Sequence, residues 1–86
     1  MTYLNMEIMN WKKEALVVFR EQLDNAMKLK KEVSILYDIP RAGSYRLTGI
    51  PIQLDPCIVL DCISMDGDRS QETIYLKDVR RVSVFD

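Results

Sequence analysis

The sequence predicts an α+β fold that is mainly β, in which one N-terminal α-helix precedes a small barrel of five antiparallel strands. The only long segment with helical periodicity lies near the N-terminus. The rest of the chain holds five short apolar runs, rich in β-branched and aromatic residues and separated by polar or turn residues. At 86 residues we expect a single domain, with residues 1–31 as N-terminal segment and helix and residues 32–86 as barrel.

The helix is predicted from apolar residues that recur at the spacing of one helical face, namely Trp11, Ala15, Leu16, Phe19, Leu23, Ala26 and Met27. Asn10 is a candidate N-cap, so we expect the helix to begin there. Lys28, Lys30 and Lys31 fall in its last turns, where cations offset the negative end of the helix dipole. An anionic partner such as nucleic acid is the alternative explanation of this basic cluster.

The segment ahead of the predicted helix is more apolar than a frayed terminus should be, with Tyr3, Leu4, Met6, Ile8 and Met9. These residues either extend the helix or cover another surface. They are therefore a candidate surface for a partner or for self-association. Packing onto the chain's own barrel is the alternative, because methionine fills irregular gaps readily.

The five apolar runs are residues 33–37, 44–54, 57–64, 72–76 and 80–85. Gly49 predicts a sharp bend in the long second strand, where it would join two sides of the barrel. Pro51 predicts an edge or a bulge in the same strand. The Asp66-Gly67 pair predicts a hairpin between the third and fourth strands, and residues 76–79 predict a short connection before the fifth.

Composition narrows the functional classes. A formal net charge of −1 gives no general attraction to nucleic acid or to an anionic membrane. No apolar run reaches the length of a membrane span, and no signal-like segment leads the chain, so a cytoplasmic location is expected. Cys57 and Cys62 are predicted to be free thiols, because the extended strand between them would hold them about 16 Å apart.

No residue pattern predicts catalysis. The chain has no histidine, which removes the commonest general base and the usual serine or cysteine triads. Asp66 and Asp68 are explained by turn chemistry, because the later ligands of a calcium loop are missing. Four further aspartates lie at or near strand ends without a spacing that brings two onto one substrate: Asp38, Asp55, Asp61 and Asp78. We therefore expect no enzymatic activity and no cofactor.

Candidate nucleic-acid contacts are scattered over the chain: Lys77, Arg80 and Arg46 in the barrel half, and Lys28, Lys30 and Lys31 at the helix end. Tyr37, Tyr45 and Tyr75 are candidate platforms for stacked bases, although each also suits the rim of a barrel. Strand alternation sends Arg80 and Arg81 to opposite faces. A nucleic-acid-binding barrel is therefore the second functional hypothesis.

A helix followed by five strands, with Gly49 at a bend and Asp55 six residues later, resembles the Sm-like barrels, which include the bacterial RNA chaperone Hfq. Asp55 matches the loop aspartate of that family. Val59 replaces the asparagine typical of Sm proteins, and Cys57 stands where Hfq-type chains have an aromatic residue. The second RNA-binding motif has become Leu76-Lys77-Asp78, so the resemblance leaves Lys77 as its basic contact.

A closer resemblance is to the YolD-like family of small Sm-like or SH3-like barrels from Gram-positive bacteria and their phages. Its pattern is a helix, V-x-I-x-Y, G-x-I-x-x-I-D-P and I-x-h-x-D-I-x-x-I, where h is apolar. The matching residues are Val33, Ile35, Tyr37, Gly49, Leu54, Asp55, Pro56, Ile74, Leu76, Asp78, Val79 and Val82. Pro51 replaces a strand isoleucine of that pattern. The resemblance implies a non-enzymatic accessory factor linked to error-prone Y-family DNA polymerases and DNA damage tolerance.

The predicted function is thus a protein-binding module of bacterial, phage or mobile-element origin. A small phage-type inhibitor of a host protein is a further alternative to the nucleic-acid-binding barrel. Open strand edges or the apolar N-terminus would let copies assemble into a dimer or ring. Neither a membrane nor a small-molecule substrate is expected as a partner.

Overall fold

The computed structural model describes the backbone of residues 2–85 and the side chains of residues 13–85. One helix is followed by five strands and a single 3₁₀ turn: α1 Thr2–Leu29, β1 Val33–Ile39, β2 Gly43–Gln53, β3 Ile58–Ile63, β4 Arg69–Ile74, the 3₁₀ turn Leu76–Asp78 and β5 Val79–Val84. All strand pairs are antiparallel. The predicted α+β, mainly β fold class is confirmed.

The helix begins earlier than the sequence predicts. It runs from Thr2, so Asn10 lies inside it and the predicted N-cap is wrong. The residues ahead of Asn10 include leucine, methionine and glutamate, which are good helix formers, and contain neither proline nor glycine. A residue that favours an N-cap does not start a helix where the preceding chain is equally able to be helical.

The C-terminus of α1 closes with two backbone hydrogen bonds. Lys31 N–H donates to the Ala26 carbonyl at 2.8 Å, and Lys30 N–H donates to the Met27 carbonyl at 3.3 Å. Lys30 has a φ of +53°, the left-handed conformation that ends many helices in this pattern. Lys28 forms an ion pair with Asp24 one turn earlier, at 2.9 Å. The basic helix end thus has local structural roles.

The strands form one sheet in the order β4-β3-β2-β1-β5. In the described chain, β4 and β5 are the two outer strands and do not pair, so the predicted barrel is not closed. The side chains of residues 69–73 in β4 are all exposed, and only Ile74 at its end is buried. Because β4 offers a single apolar contact to the interior, little hydrophobic free energy is available to draw it onto β5.

Gly49 lies where the neighbouring strand leaves no room for a side chain. It is the last residue of β2 that pairs with β1, and from Ile50 onward the strand pairs with β3. A Cβ atom built on Gly49 would lie 2.6 Å from the Asp61 carbonyl oxygen and 2.9 Å from Cys62 Sγ. These distances are too short for non-bonded atoms, so the close passage of β2 over β3 requires glycine. The predicted role of Gly49 at the junction of two sheet halves is supported by this geometry.

A β-bulge lies in β2 shortly after Gly49. Pro51 pairs with Leu60, but Gln53 pairs with Val59, so Ile52 is an extra residue on β2. The predicted bulge near Pro51 is therefore present. The hairpin at Asp66-Gly67 is also present, with Ser64 N–H donating to the Asp68 carbonyl at 2.8 Å and a φ of +85° at Gly67.

The core lies between α1 and the inner face of the sheet. Buried apolar side chains come from the helix and from four strands: Leu23, Ala26, Val33, Ile35, Ile58, Leu60, Ile74, Val79 and Val82. Phe19 packs against this cluster from the helix. Cys57 and Cys62 are free thiols, as predicted, and both are half-buried. Within the described residues, no helix combines the length and the apolar character needed to cross a membrane.

We expect Gly49→Ala to lower the free energy of unfolding by about 2 to 3 kcal/mol, because the added methyl group must displace backbone atoms of β3. Urea denaturation followed by circular dichroism measures this change. The matched control is Thr48→Ala, the preceding residue of the strand, whose side chain is exposed. Equal stabilities for the two variants would contradict the close passage of the strands.

Candidate docking site at the end of the sheet

Two concave surfaces adjoin each other where β1 ends and the 3₁₀ turn begins. The first, which we call the helix cleft, has a volume of about 430 Å³ and lies between α1 and the start of β5. The second, the tyrosine cleft, has a volume of about 280 Å³ and lies between the ends of β1 and β4. Asp38 and Asp78 line both. The two clefts therefore adjoin each other at these two carboxylates and together are the candidate site.

The helix cleft has one apolar wall and one charged wall. The helix supplies Ala15, Leu16 and Phe19, and the opposite side supplies Val79 with the charged residues Asp38, Lys77, Asp78 and Arg80. The strand order of the sheet explains why Asp38 lies close to the charged residues of the 3₁₀ turn and of β5. Because β5 pairs with β1, the start of β5 lies beside the end of β1, and the 3₁₀ turn that feeds β5 is brought to the same place.

A bulge in β5 sets the position of Arg80. Leu36 pairs with Arg81, but Tyr37 pairs with Val79, so Arg80 is an extra residue without a partner across the strand pair. Bulges interrupt the alternation of side chains along a strand. Arg80 and Arg81 are consequently both exposed, and Arg80 Nε lies 3.5 Å from Asp38 Oδ2.

The two carboxylates of the site differ in their partners. Asp38 accepts a hydrogen bond from the Ser44 hydroxyl at 2.6 Å in addition to its contact with Arg80. Within residues 13–85, the side chain of Asp78 has neither an ion-pair partner nor a hydrogen-bond partner. Asp78 is half-buried, so a carboxylate that forms no ion pair or side-chain hydrogen bond within the described residues lies at the boundary of the two clefts.

Tyrosines form much of the second cleft. Tyr37 and Tyr75 line it together with Ile39 and Pro40, and the rings of Tyr37 and Tyr45 lie with their centroids 6.2 Å apart. Burial raises the pKa of the Tyr37 phenol above its usual value of 10.0, with smaller contributions from Glu72, Tyr45 and Cys62. The phenol is therefore neutral at physiological pH and can donate a hydrogen bond.

The candidate nucleic-acid contacts lie in three separate places in the structure. Lys77 and Arg80 line the helix cleft, and Lys77 Nζ lies 6.0 Å from the centre of the Tyr75 ring. Arg46 is exposed in the middle of β2, opposite Leu36. The remaining three, Lys28, Lys30 and Lys31, lie at the C-terminal end of α1, about 20 Å along the helix from Leu16 in the cleft. These residues do not line one groove.

The other predicted positions have structural partners. Asp55, which the resemblance singles out, forms an ion pair with Arg20 of α1, so it ties the loop after β2 to the helix. Asp61 lies within β3, opposite Ile50 and Gln71. The candidate assembly residues Tyr3, Leu4, Met6, Ile8 and Met9 belong to α1, and their side chains lie outside the described part. Among residues with described side chains, no three of the usual metal-ligating types come together.

Sequence reasoning missed Leu16, Phe19 and Ser44 as parts of the site. The helical periodicity identifies Leu16 and Phe19 as apolar face residues, but it does not distinguish a side chain in the core from one that lines a cleft beside it. The hydrogen bond between Ser44 and Asp38 could have been inferred, because both residues flank the turn between β1 and β2 at paired positions.

Comparison with protein-family models, with curated proteins and with solved structures found no match for this chain. The resemblance to YolD-like proteins therefore depends on the sequence motifs given above.

The raised pKa of Tyr37 predicts a pH dependence of stability. Because the folded chain disfavours the phenolate, the contribution of Tyr37 to stability is complete below its unfolded pKa of about 10 and is lost as pH rises through the higher folded value. We expect the free energy of unfolding of the native chain to fall more steeply above pH 10 than that of Tyr37→Phe. Urea titrations between pH 8 and pH 11 measure the two slopes, and identical slopes would contradict the prediction.

Proposed function

We propose that this chain is a non-enzymatic protein-binding module that holds an exposed segment of a partner in the two adjoining clefts. The observation that carries the proposal is the unpartnered carboxylate of Asp78 between an apolar wall and a tyrosine-lined surface. Ligand sites of proteins commonly combine apolar walls with a few polar groups that fix orientation. The occupant that fits is a peptide segment with one basic side chain, for Asp78, flanked by apolar residues.

The charges of the site favour a protein over a nucleic acid. The two acidic residues, Asp38 and Asp78, are matched by two basic ones, Lys77 and Arg80, so the clefts have no net positive charge. Arg80 is already engaged by Asp38. Nucleic-acid affinity is dominated by neutralising phosphates with several free cations, and only Lys77 is available for that purpose in the clefts.

The same arrangement argues against catalysis. Asp38 is held by Ser44 and Arg80, which leaves Asp78 as the single carboxylate without a partner. The chain contains no histidine, the commonest general base, to act together with that carboxylate.

A display library of random peptides, selected against the folded chain, tests the proposal. We expect enriched peptides to carry an arginine or lysine beside apolar residues, and we expect Asp78→Lys to weaken their binding at least tenfold, because it places like charges together. The matched control is Asp66→Lys, which makes the same charge change in the exposed hairpin turn and should leave binding unchanged. Isothermal titration with a synthetic peptide measures the affinities, and circular dichroism verifies that both variants fold.

Two results would contradict the proposal. One is equal binding by the native chain and Asp78→Lys, and the other is an equal loss with Asp66→Lys, which would indicate a general charge effect.

The nucleic-acid alternative has one observation in its favour, the proximity of Lys77 to the ring of Tyr75, which lines the tyrosine cleft. Fluorescence anisotropy with a labelled single-stranded oligonucleotide, repeated at rising salt, separates the two functions. Binding through phosphates weakens steeply with salt, whereas binding of a largely apolar peptide changes little. Tight oligonucleotide binding that is lost in Lys77→Ala would replace the protein-binding proposal.

The motifs shared with YolD-like proteins suggest a cellular role for the module. We propose that it acts in the cytoplasm as an accessory factor of DNA damage tolerance, in a bacterium or in a phage or other mobile element. Size-exclusion chromatography of the chain mixed with a purified Y-family DNA polymerase tests this role directly. A complex that Asp78→Lys disrupts and Asp66→Lys preserves would support it, and independent elution of the two proteins would contradict it.

A further inference from the structure

Helix α1 carries a second apolar row besides the one that packs on the sheet. The row against the core contains Phe19, Leu23 and Ala26. The second row contains positions four, three, four and three residues apart: Leu4, Ile8, Trp11, Ala15 and Val18. With 3.6 residues per turn, the centres of the two rows lie roughly 70° apart around the helix. The second row therefore lies beside the row that packs on the core, turned to one side of it.

The described end of this row is open to solvent. Val18 is 50% exposed and its neighbour Val17 is 57% exposed, while Ala15 is half-buried at the border of the helix cleft. The alternating spacing of four and three is the heptad pattern by which two helices pack along a shared seam. An isolated apolar residue on a surface needs no explanation, but a row with this spacing does.

The charges beside the row indicate what covers it. In heptad terms, Ile8 and Ala15 occupy a positions, and Leu4, Trp11 and Val18 occupy d positions. Glutamates then recur at the three g positions, Glu7, Glu14 and Glu21, and Lys12 is at an e position. In a parallel pair of identical helices, each g position lies beside the e position five residues later on the partner helix. Glu7 of each copy then lies beside Lys12 of the other, which gives two Glu–Lys pairs. An antiparallel pair would bring glutamates together instead.

We infer that residues 4–18 of α1 pair in parallel with the same residues of a second copy, to form a two-fold symmetric dimer. The seam shares Ala15 with the border of the helix cleft, but the inference is argued from the helix row and its flanking charges and does not depend on the proposed protein-binding function. Of the five apolar residues first considered for assembly, the heptad spacing selects Leu4 and Ile8 and leaves Tyr3, Met6 and Met9 off the seam.

Two neighbouring valines provide a matched test. Val18→Asp introduces a charge at a d position of the seam, whereas Val17→Asp introduces the same charge at a c position, and both side chains are exposed in the chain alone. Sedimentation equilibrium from about 1 to 200 μM should give twice the chain mass of 10.0 kDa for the native chain and for Val17→Asp. We expect Val18→Asp to weaken dimerisation at least tenfold. A native monomer at every concentration, an assembly of more than two copies, or equal losses in both variants would overturn the inference.

A charge exchange tests the parallel arrangement. Lys12→Glu should weaken the dimer, because it opposes Glu7 of the second copy with a like charge, and the double variant Glu7→Lys/Lys12→Glu should restore it. Lys13→Glu makes the same charge change at an f position, away from the seam, and serves as control. Failure of the double variant to recover, or an equal effect of Lys13→Glu, would overturn the parallel pairing.

Discussion

The close passage of β2 over β3 at Gly49 determines how the rest of the molecule is arranged. The strand pairs with β1 before this residue and with β3 after it, so one strand belongs to both halves of the sheet. β1 and β5 lie on one side of this junction, and β3 and β4 lie on the other. The tyrosine cleft forms where the ends of β1 and β4 bring these two halves together, and the helix cleft lies beside it between α1 and the start of β5. A side chain at Gly49 would force β2 and β3 apart and would change the distance between Asp38 and Tyr75.

Helix α1 packs on the sheet through its C-terminal half and carries the second apolar row on residues 4–18. Its C-terminal half contributes Leu23 and Ala26 to the core and is tied to the loop after β2 by the ion pair between Arg20 and Asp55. That ion pair is largely exposed, so its free-energy contribution is small beside that of the buried leucine. Apolar burial therefore fixes the helix on the sheet, and the ion pair helps to fix its rotation. The rotation determines which row of the helix remains open.

Local signals predicted most of the fold. The five strands, the bulge near Pro51 and the hairpin at Gly67 depend on residues close together in sequence, and each was expected. The open sheet was not expected, and extension of the helix ahead of Asn10 was only one of two alternatives, because both depend on a balance between competing segments. The site was predicted least well. The bulge that places Arg80 beside Asp38 depends on the register between β1 and β5, and the residues of one strand do not specify that register.

The two proposed surfaces would reinforce each other. The helix cleft and the heptad row share Ala15 at their border, so a parallel dimer would carry two copies of the cleft at the same end of the molecule. The clefts have balanced charge and moderate size, which favours weak binding at a single site. Two such sites held at a fixed distance raise the effective concentration of the second binding step and strengthen binding to a partner with two matching segments. A variant such as Val18→Asp would then lower the affinity for a bivalent partner while leaving the affinity for a single peptide unchanged.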